Sequence, residues 1–257
     1  MSGTLFLIGG HEDKDGKRAV LGSVARACSG GALVLVTAAS TKPEPYLPLY
    51  ASALLPFGVE VVELRLRDRA EADDPARLAV LHKAGAVLLS GGRQRLGADV
   101  LVGSVALRHV RARWHGGMPV AGTSAGAAML GEWMLGGGTN DESPADSLPI
   151  LRGLGFLPGV LVDQHLAERG RTPRLIAAAS LKGAVGIGVD ENTAAVVRGG
   201  SVSVVGEGAV TIVDTTGTTA HRTPHGVSVR DARVSLLTES DDAYSLPRGA
   251  STNWPST

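Results

Sequence analysis

The stretch MPVAGTSAGAAMLGEW (118–133) decides how the rest of the chain is read. Its left end, Met118-Pro119-Val120-Ala121, has the look of a short apolar strand. Gly122, Thr123, Ser124, Ala125, Gly126, Ala127 and Ala128 follow, all small, and then a run of helix formers. A strand that turns into a helix through such a stripped corner belongs to an α/β fold. Two readings of the corner stand side by side. It is a closely packed strand-to-helix turn, or it is a nucleophile elbow of the G-x-S-x-G type, which projects a serine Oγ and opens the following N–H groups toward an oxyanion.

Outward from the corner the same alternation repeats. Thr4–Ile8 reads as a strand ending in Gly9-Gly10, and Lys17–Cys28 as a helix. Ala32–Thr37 is a continuous apolar run, as expected of a strand covered on both faces. Tyr46–Phe57 reads as a helix, Val59–Leu64 as a strand, Pro75–Lys83 as a helix, Ala86–Leu89 as a strand and Ala98–Arg113 as a helix. Residues 136–149 form a polar Gly/Ser/Pro stretch, a loop that is either a lid or a plain connection. Beyond Ala184 the pattern becomes strand-rich: Val185–Val189, Ala194–Arg198, Val202–Gly206, Ala209–Asp214 and Gly226–Val234, with glycine turns between. The expectation is one α/β domain over residues 1–237, mostly parallel and flanked by helices, with antiparallel strands extending or capping the sheet. Residues 238–257 read as a polar, mobile tail.

Composition narrows the function. Apolar residues make up 44% of the 257 and charged residues 19%, enough for a sizeable core. Lys+Arg and Asp+Glu both number 25, so charge gives no reason to expect nucleic acid or an anionic membrane. A single cysteine, Cys28, excludes an intramolecular disulfide and a cysteine-based zinc cluster, and its apolar helical setting reads as core. No apolar run approaches a membrane span, and the N-terminal one is too short for a signal-peptide core. A soluble cytoplasmic protein is the expectation. Neither Gly9-Gly10 nor Gly91-Gly92 completes a dinucleotide fingerprint, and no P-loop or metal-ligand cluster is present, so no cofactor or metal is expected.

A serine nucleophile needs a base, and the base needs a carboxylate to fix its tautomer. His82, His109, His115, His221 and His225 read as solvated surface, while His11, at a strand end behind two glycines, is a candidate to line a site. His165 stands apart. In VLVDQHLAERGRTPRL (160–175) an apolar strand runs into Asp163-Gln164-His165, followed by Arg169, Arg171 and Arg174. The alternative for this segment is a salt-bridged loop-to-helix junction. Asp190 and Glu191, in GIGVDENTAAVV (186–197), are the carboxylate candidates, though alone they make an ordinary hairpin turn. The order Ser, His, acid suits a triad on the strand ends of an open α/β sheet.

These segments together resemble the cyanophycinases and the wider group of serine peptidases that includes the aspartyl dipeptidases. The resemblance rests on GTSAGA (122–127), Asp163-Gln164-His165 with RGRTPR behind it, and GVDENTA. LIGGHEDK, LVTAAS (35–40) with the following PxxY, LLSGGRQ (88–94) and VVGEGAVTIVD (204–214) add to it. It spans roughly residues 4–236. It implies a class-I glutamine-amidotransferase-like α/β fold, no metal, a homodimer, and hydrolysis of peptide bonds beside aspartate. Cyanophycinases cut the Arg-bearing polyaspartate cyanophycin to β-Asp-Arg dipeptides, so an Asp- and Arg-rich peptide substrate is implied. By position, Ser124 is the nucleophile, His165 the base and Glu191 the orienting acid. The N–H groups of Gly92 and Ala125 form the oxyanion hole, and Gln94, Asp163, Gln164, Arg171 and Arg174 line the substrate pocket. Arginine forks suit aspartyl carboxylates, and acidic or amide acceptors suit a substrate arginine. Two positions depart from the family pattern: Arg93 stands where an acidic residue is usual, and Pro173 where a small residue is usual.

A peptidase for another Asp- or isoaspartyl-containing peptide is the second reading, kept open by Arg93. A non-catalytic binder on the same fold is the third, and retention of Ser124, His165 and Glu191 argues against it. A glutamine amidotransferase subunit is disfavoured because its nucleophile is a cysteine.

Overall fold

The computed structural model describes residues 2–136 and 148–247. The first half is built of βα units: β1 (Leu5–Ile8), α1 (Ala19–Ala27), β2 (Ala32–Val36), α2 (Tyr46–Leu54) and β3 (Val61–Leu64). Two short helices, α3 (Arg69–Asp73) and α4 (Pro75–Leu78), lead to β4 (Ala84–Leu89), then α5 (Gln94–Leu101) and α6 (Val105–His115). The opening stretch supplies β5 (Val120–Thr123), α7 (Ala125–Leu130) and β6 (Gly131–Leu135). After it come β7 (Ile150–Arg152), β8 (Leu157–Gln164), α8 (Thr172–Lys182), β9 (Val185–Val189), β10 (Thr193–Arg198), β11 (Ser201–Gly206) and β12 (Val210–Asp214). β13 (Thr219–Thr223), β14 (Gly226–Arg230), β15 (Arg233–Leu237) and β16 (Tyr244–Ser245) complete the described chain.

Among the described residues the strands form two large sheets and one hairpin. The first sheet runs β16-β11-β10-β1-β5-β4-β2-β3 and the second β15-β12-β9-β8-β6-β7, with β13-β14 separate. β1, β5, β4, β2 and β3 are mutually parallel, as are β6, β8 and β9. The later strands add in antiparallel fashion. This is the α/β fold that the sequence implies, with a parallel run of strands within each large sheet and antiparallel strands added beside it. What the sequence did not separate is the second sheet: β10, β11 and β16 extend the first, whereas β9, β12 and β15 belong to the other. Residues 238–247, assigned from sequence to the tail, carry β16, which pairs with β11. Most of the polar 136–149 stretch (137–147), and the rest of the tail beyond 247, lie outside the described residues.

Alternation along each strand explains the layers. Phe6 and Ile8, Leu33 and Leu35, and Leu88 point toward α1 and α2, where they meet Val20, Leu21, Val24, Tyr50 and Leu54. Leu5, Leu7, Val34, Val36, Val87 and Leu89 point the other way. There they share one core with Val160, Val162, Ile187, Val189, Val210 and Ile212 of the second sheet. A strand with both faces covered has no polar alternation to show, which is why these segments read as unbroken apolar runs. Leu175, Ala178 and Ala179 of α8 cover the far face of the second sheet.

Several local boundaries correct the sequence reading. The helix expected over 98–113 is two helices, because Ser104 turns the chain and accepts a hydrogen bond from the Leu107 N–H at 3.0 Å, an N-cap for α6. The strand expected over 226–234 breaks at Asp231, whose φ of 64° lies outside strand geometry. The helix after Ser124 ends at Leu130, and Gly131 starts β6 instead. Cys28 is only half-buried, at the C-terminal cap of α1.

The corner itself is held by contact between backbones. A Cβ on Gly122 would overlap the carbonyl group of Gly126, and one on Gly126 would overlap the carbonyl of Leu89. The paired glycines thus let α7 fold directly back onto β5 and β4. Gly122→Ala is expected to lower stability by about 1–3 kcal/mol, the usual cost of overpacking a tight core. A shift in the urea unfolding midpoint measures it, and an unchanged midpoint would contradict this packing.

Candidate active site

The site lies where the two sheets meet, at the C-terminal ends of parallel strands, the usual location of a site in an open α/β sheet. β5 delivers Ser124, β8 delivers His165, and the turn from β9 in the second sheet to β10 in the first delivers Glu191. Ser124 has φ 52° and ψ −115°, a conformation rarely tolerated outside glycine. Its N–H donates to the Ile8 carbonyl at 2.9 Å and its carbonyl accepts from Ala128 at 3.1 Å, which fixes the turn on both sides.

The side chains form a hydrogen-bonded line. Ser124 Oγ is 2.8 Å from His165 Nε2, and His165 Nδ1 is 2.6 Å from Glu191 Oε1. Asp190, the other carboxylate candidate, is occupied elsewhere: it accepts the Ala167 and Ala209 N–H groups, each at 3.0 Å. His165 is buried, at 4% exposure. Burial holds its pKa below the ordinary 6.5, outweighing the hydrogen bond from Nδ1 to Glu191, which pushes up. The Glu191 carboxyl is raised by its own desolvation, but hydrogen bonds from His11 and His165 more than offset that and leave it below the usual carboxylate value. The result is a neutral imidazole against an ionised carboxylate, the state in which Nε2 can accept a proton.

Sequence reasoning missed how much of this the segment Gly9–Lys14 organises. Gly9 O accepts the His165 N–H at 3.1 Å, and Gly10 O accepts the Asn192 N–H at 2.9 Å. A side chain on Gly10 would run into the His165 ring, so only glycine admits the imidazole there. The Asp13 N–H donates to Asn192 Oδ1 at 2.8 Å. His11 Nδ1 lies 2.7 Å from Glu191 Oε2, so each oxygen of that carboxylate faces its own imidazole. Glu12 is 3% exposed and takes the hydroxyls of Tyr50 and, at 2.7 Å, Thr123, the residue before Ser124. Lys14 Nζ stands 3.2 Å from the same carboxylate, supplying the counter-charge a buried acid needs. Desolvation and then the nearby Glu12 charge push the Tyr50 phenol well above its ordinary pKa, so it stays a donor. The signal in the sequence was a His, two acids and a Lys directly after a strand and two glycines.

The residues expected around Ser124, His165 and Glu191 divide. Gly91, and with it the Gly92 turn, lies against the serine: a Cβ on Gly91 would stand 3.5 Å from Ser124 Cβ. Ala125, fully buried, is the first residue of α7. Gln94 opens α5 and donates to the Leu135 carbonyl at 2.8 Å, while Arg93 is exposed. Asp163, Gln164, Arg171 and Arg174 do cluster behind His165, but they engage one another. Arg174 Nε and Nη2 grip the two Asp163 oxygens at 2.7 Å each. Arg171 Nη1 donates to Gln164 O at 2.7 Å and Oε1 at 3.1 Å. Arg171 is the cap residue of α8 and Arg174 lies in its first turn, with Pro173 between them where it fits a helix start. Of the five histidines read as surface, His82, His115, His221 and His225 are exposed and His109 is half-buried. Among the described residues no helix is long and apolar enough to cross a membrane.

The family model for Peptidase family S51 matches residues 5–205. The chain belongs to peptidase family S51. The S51 chain is 36% identical over 256 residues to a cyanophycinase of Synechococcus elongatus, covering 95% of this chain and 79% of that protein. To a cyanophycinase of Trichormus variabilis it is 37% identical over 249 residues, with 92% and 84% covered. In fold it is similar to a peptidase from an acI-B1 Actinobacterium, at TM-score 0.72 and 23% identity, covering 96% of this chain and 98% of that one. A putative peptidase E of Listeria monocytogenes EGD-e gives TM-score 0.54 at 16% identity, with 79% and 98% covered. Family membership makes this a serine-type peptidase with the class-I glutamine-amidotransferase-like fold expected from its sequence.

The S51 site carries a pH expectation. A His165 pKa below 6.5 means the ring stays neutral, and able to accept a proton, further into acid than a free histidine. Histidine NMR titration should place its midpoint below 6.5; a midpoint at or above that value would contradict the burial that sets it.

Proposed function

We propose that this S51 peptidase hydrolyses bonds at aspartyl residues, with cyanophycin (multi-L-arginyl-poly-L-aspartate) as its substrate and β-Asp-Arg dipeptides as its product. The observation that carries the reading is the line Ser124 Oγ, His165 Nε2, His165 Nδ1, Glu191 Oε1, closed by bonds of 2.8 and 2.6 Å. The curated cyanophycinases, alike over most of the chain, support the substrate.

In this mechanism Ser124 Oγ attacks the scissile carbonyl carbon while its proton passes to His165 Nε2. Glu191 holds the Nδ1–H tautomer and stabilises the imidazolium. The tetrahedral oxyanion rests on the N–H groups of Ala125 and Gly92, as the elbow and the adjacent Gly91–Gly92 turn suggest. His165 then gives its proton to the leaving amine, which departs and leaves an acyl-enzyme on Ser124. Water, deprotonated by the same ring, releases the acid and restores the serine. Asp163 keeps the Arg174 guanidinium oriented beside the site, and Arg171 steadies Gln164. With Gln94 these residues form the substrate pocket in this reading. The enzyme works as a cytoplasmic homodimer, as the family resemblance implies.

The exposed Arg93 beside the Gly91–Gly92 turn favours a second reading, a smaller aspartyl or isoaspartyl peptide as substrate. Purified protein is incubated with cyanophycin and, separately, with α-Asp and β-Asp dipeptides, products being followed by mass spectrometry. The expected result is β-Asp-Arg release, lost by several orders of magnitude in Ser124→Ala. Cleavage of a dipeptide alone selects the second reading, and undiminished turnover by Ser124→Ala would refute the mechanism.

A further inference from the structure

His11 does not belong to the Ser-His-Glu line, yet it completes something else. Its Nδ1 faces one Glu191 oxygen at 2.7 Å while His165 Nδ1 faces the other at 2.6 Å, and the two rings stand edge to face with centroids 5.2 Å apart. The donor atoms of His11, His165 and Glu191 all lie within 4.8 Å of one another. We propose that His11, His165 and Glu191 form an inhibitory binding site for a divalent transition metal ion of the zinc class.

The donor chemistry favours such an ion. Two imidazoles and one carboxylate suit zinc and its neighbours, whereas calcium and magnesium prefer all-oxygen sets. An ion about 2.0–2.2 Å from each donor needs ligand atoms a few ångströms apart, which small side-chain rotations supply here. Access lies past His11. The His11 side chain is 72% exposed, against 5% for His165 and 23% for Glu191, so an ion enters past His11 and leaves a position for water. Local charge agrees in part: besides Glu191, the Glu168 carboxylate accepts the Glu191 N–H at 3.1 Å, while the Arg169 guanidinium acts on His165 in the opposite sense.

Binding would silence the peptidase without breaking the fold. A metal on His165 Nδ1 takes the lone pair of that nitrogen, so the ring proton must sit on Nε2. Nε2 then carries an N–H toward Ser124 Oγ and has no lone pair to accept the serine proton. No proton is gained or lost in this tautomer exchange. The inhibition, though not the binding, rests on His165 being the base.

Chelator-treated protein is titrated with zinc sulfate by calorimetry, and its peptidase activity is followed over the same concentrations. Wild type is expected to bind one zinc ion at this site and to lose activity in parallel, with recovery on adding chelator. His11→Gln should weaken binding at least by the roughly tenfold to hundredfold that loss of even an outer partner of a metal ligand costs. Ser124→Ala should bind zinc like wild type whatever its activity, so binding is tested even if the peptidase reading fails. His82→Ala probes the surface pair His82–His109, whose rings lie 5.3 Å apart. Equal binding by wild type and His11→Gln, or binding abolished by His82→Ala, would overturn the proposal. Should His11→Gln misfold, histidine NMR of wild type decides. Zinc must shift the ring signals of His11 and His165 together, and unmoved signals would refute the site.

Discussion

Ser124 occupies a backbone conformation that costs a non-glycine residue on the order of 1–3 kcal/mol, and much of the molecule is arranged to hold it there. The constraint is met from three sides. Gly122 and Gly126 let α7 close onto β5, and the Ile8 carbonyl pins the Ser124 N–H from the neighbouring strand. Glu12 grips the Thr123 hydroxyl from beneath. A strained residue persists only where its surroundings over-determine it, and here the surroundings are the central strands of the first sheet.

The same first-strand segment that anchors the serine also places its partners. Gly9 and Gly10 accept the backbone N–H groups of His165 and Asn192, which belong to two other connections. Because β8 and β9 lie in the second sheet, the Ser124–His165–Glu191 hydrogen-bonded line spans the junction of two sheets, and Gly9–Lys14 touches both halves. The buried Glu12, paired with Lys14 and two hydroxyls, supplies a fixed point there. An apolar residue in its place would leave those partners without their acceptor, which costs far more than the pair itself contributes.

Much of this was legible in the sequence for definite reasons. Apolar runs such as ALVLV mark doubly covered strands, and a stripped Gly-x-Ser-x-Gly corner can be read locally. His165 stood out by its Asp-Gln-His setting at a strand end, whereas only the family pattern chose Glu191 over Asp190, and nothing in their spacing places either beside Ser124. The second sheet was not legible. β9 and β10 are consecutive apolar strands joined by a short turn, and such a pair reads as a hairpin. Here Asn192, at φ 47°, instead sends the chain from one sheet into the other. The roles of Asp163 and Arg174 were hidden similarly. Composition can nominate an acid and an arginine for a pocket, but it cannot say that they bind each other before any substrate arrives.

In the proposed reaction everything turns on Ser124, activated by His165, as the nucleophile. Treating the protein with a fluorophosphonate and mapping the adduct by peptide mass spectrometry tests it most directly, independent of any substrate. One adduct per chain on the peptide carrying Ser124, formed far more slowly in His165→Ala, is the predicted result. Labelling of another residue, or labelling of Ser124 that is indifferent to His165, would contradict it.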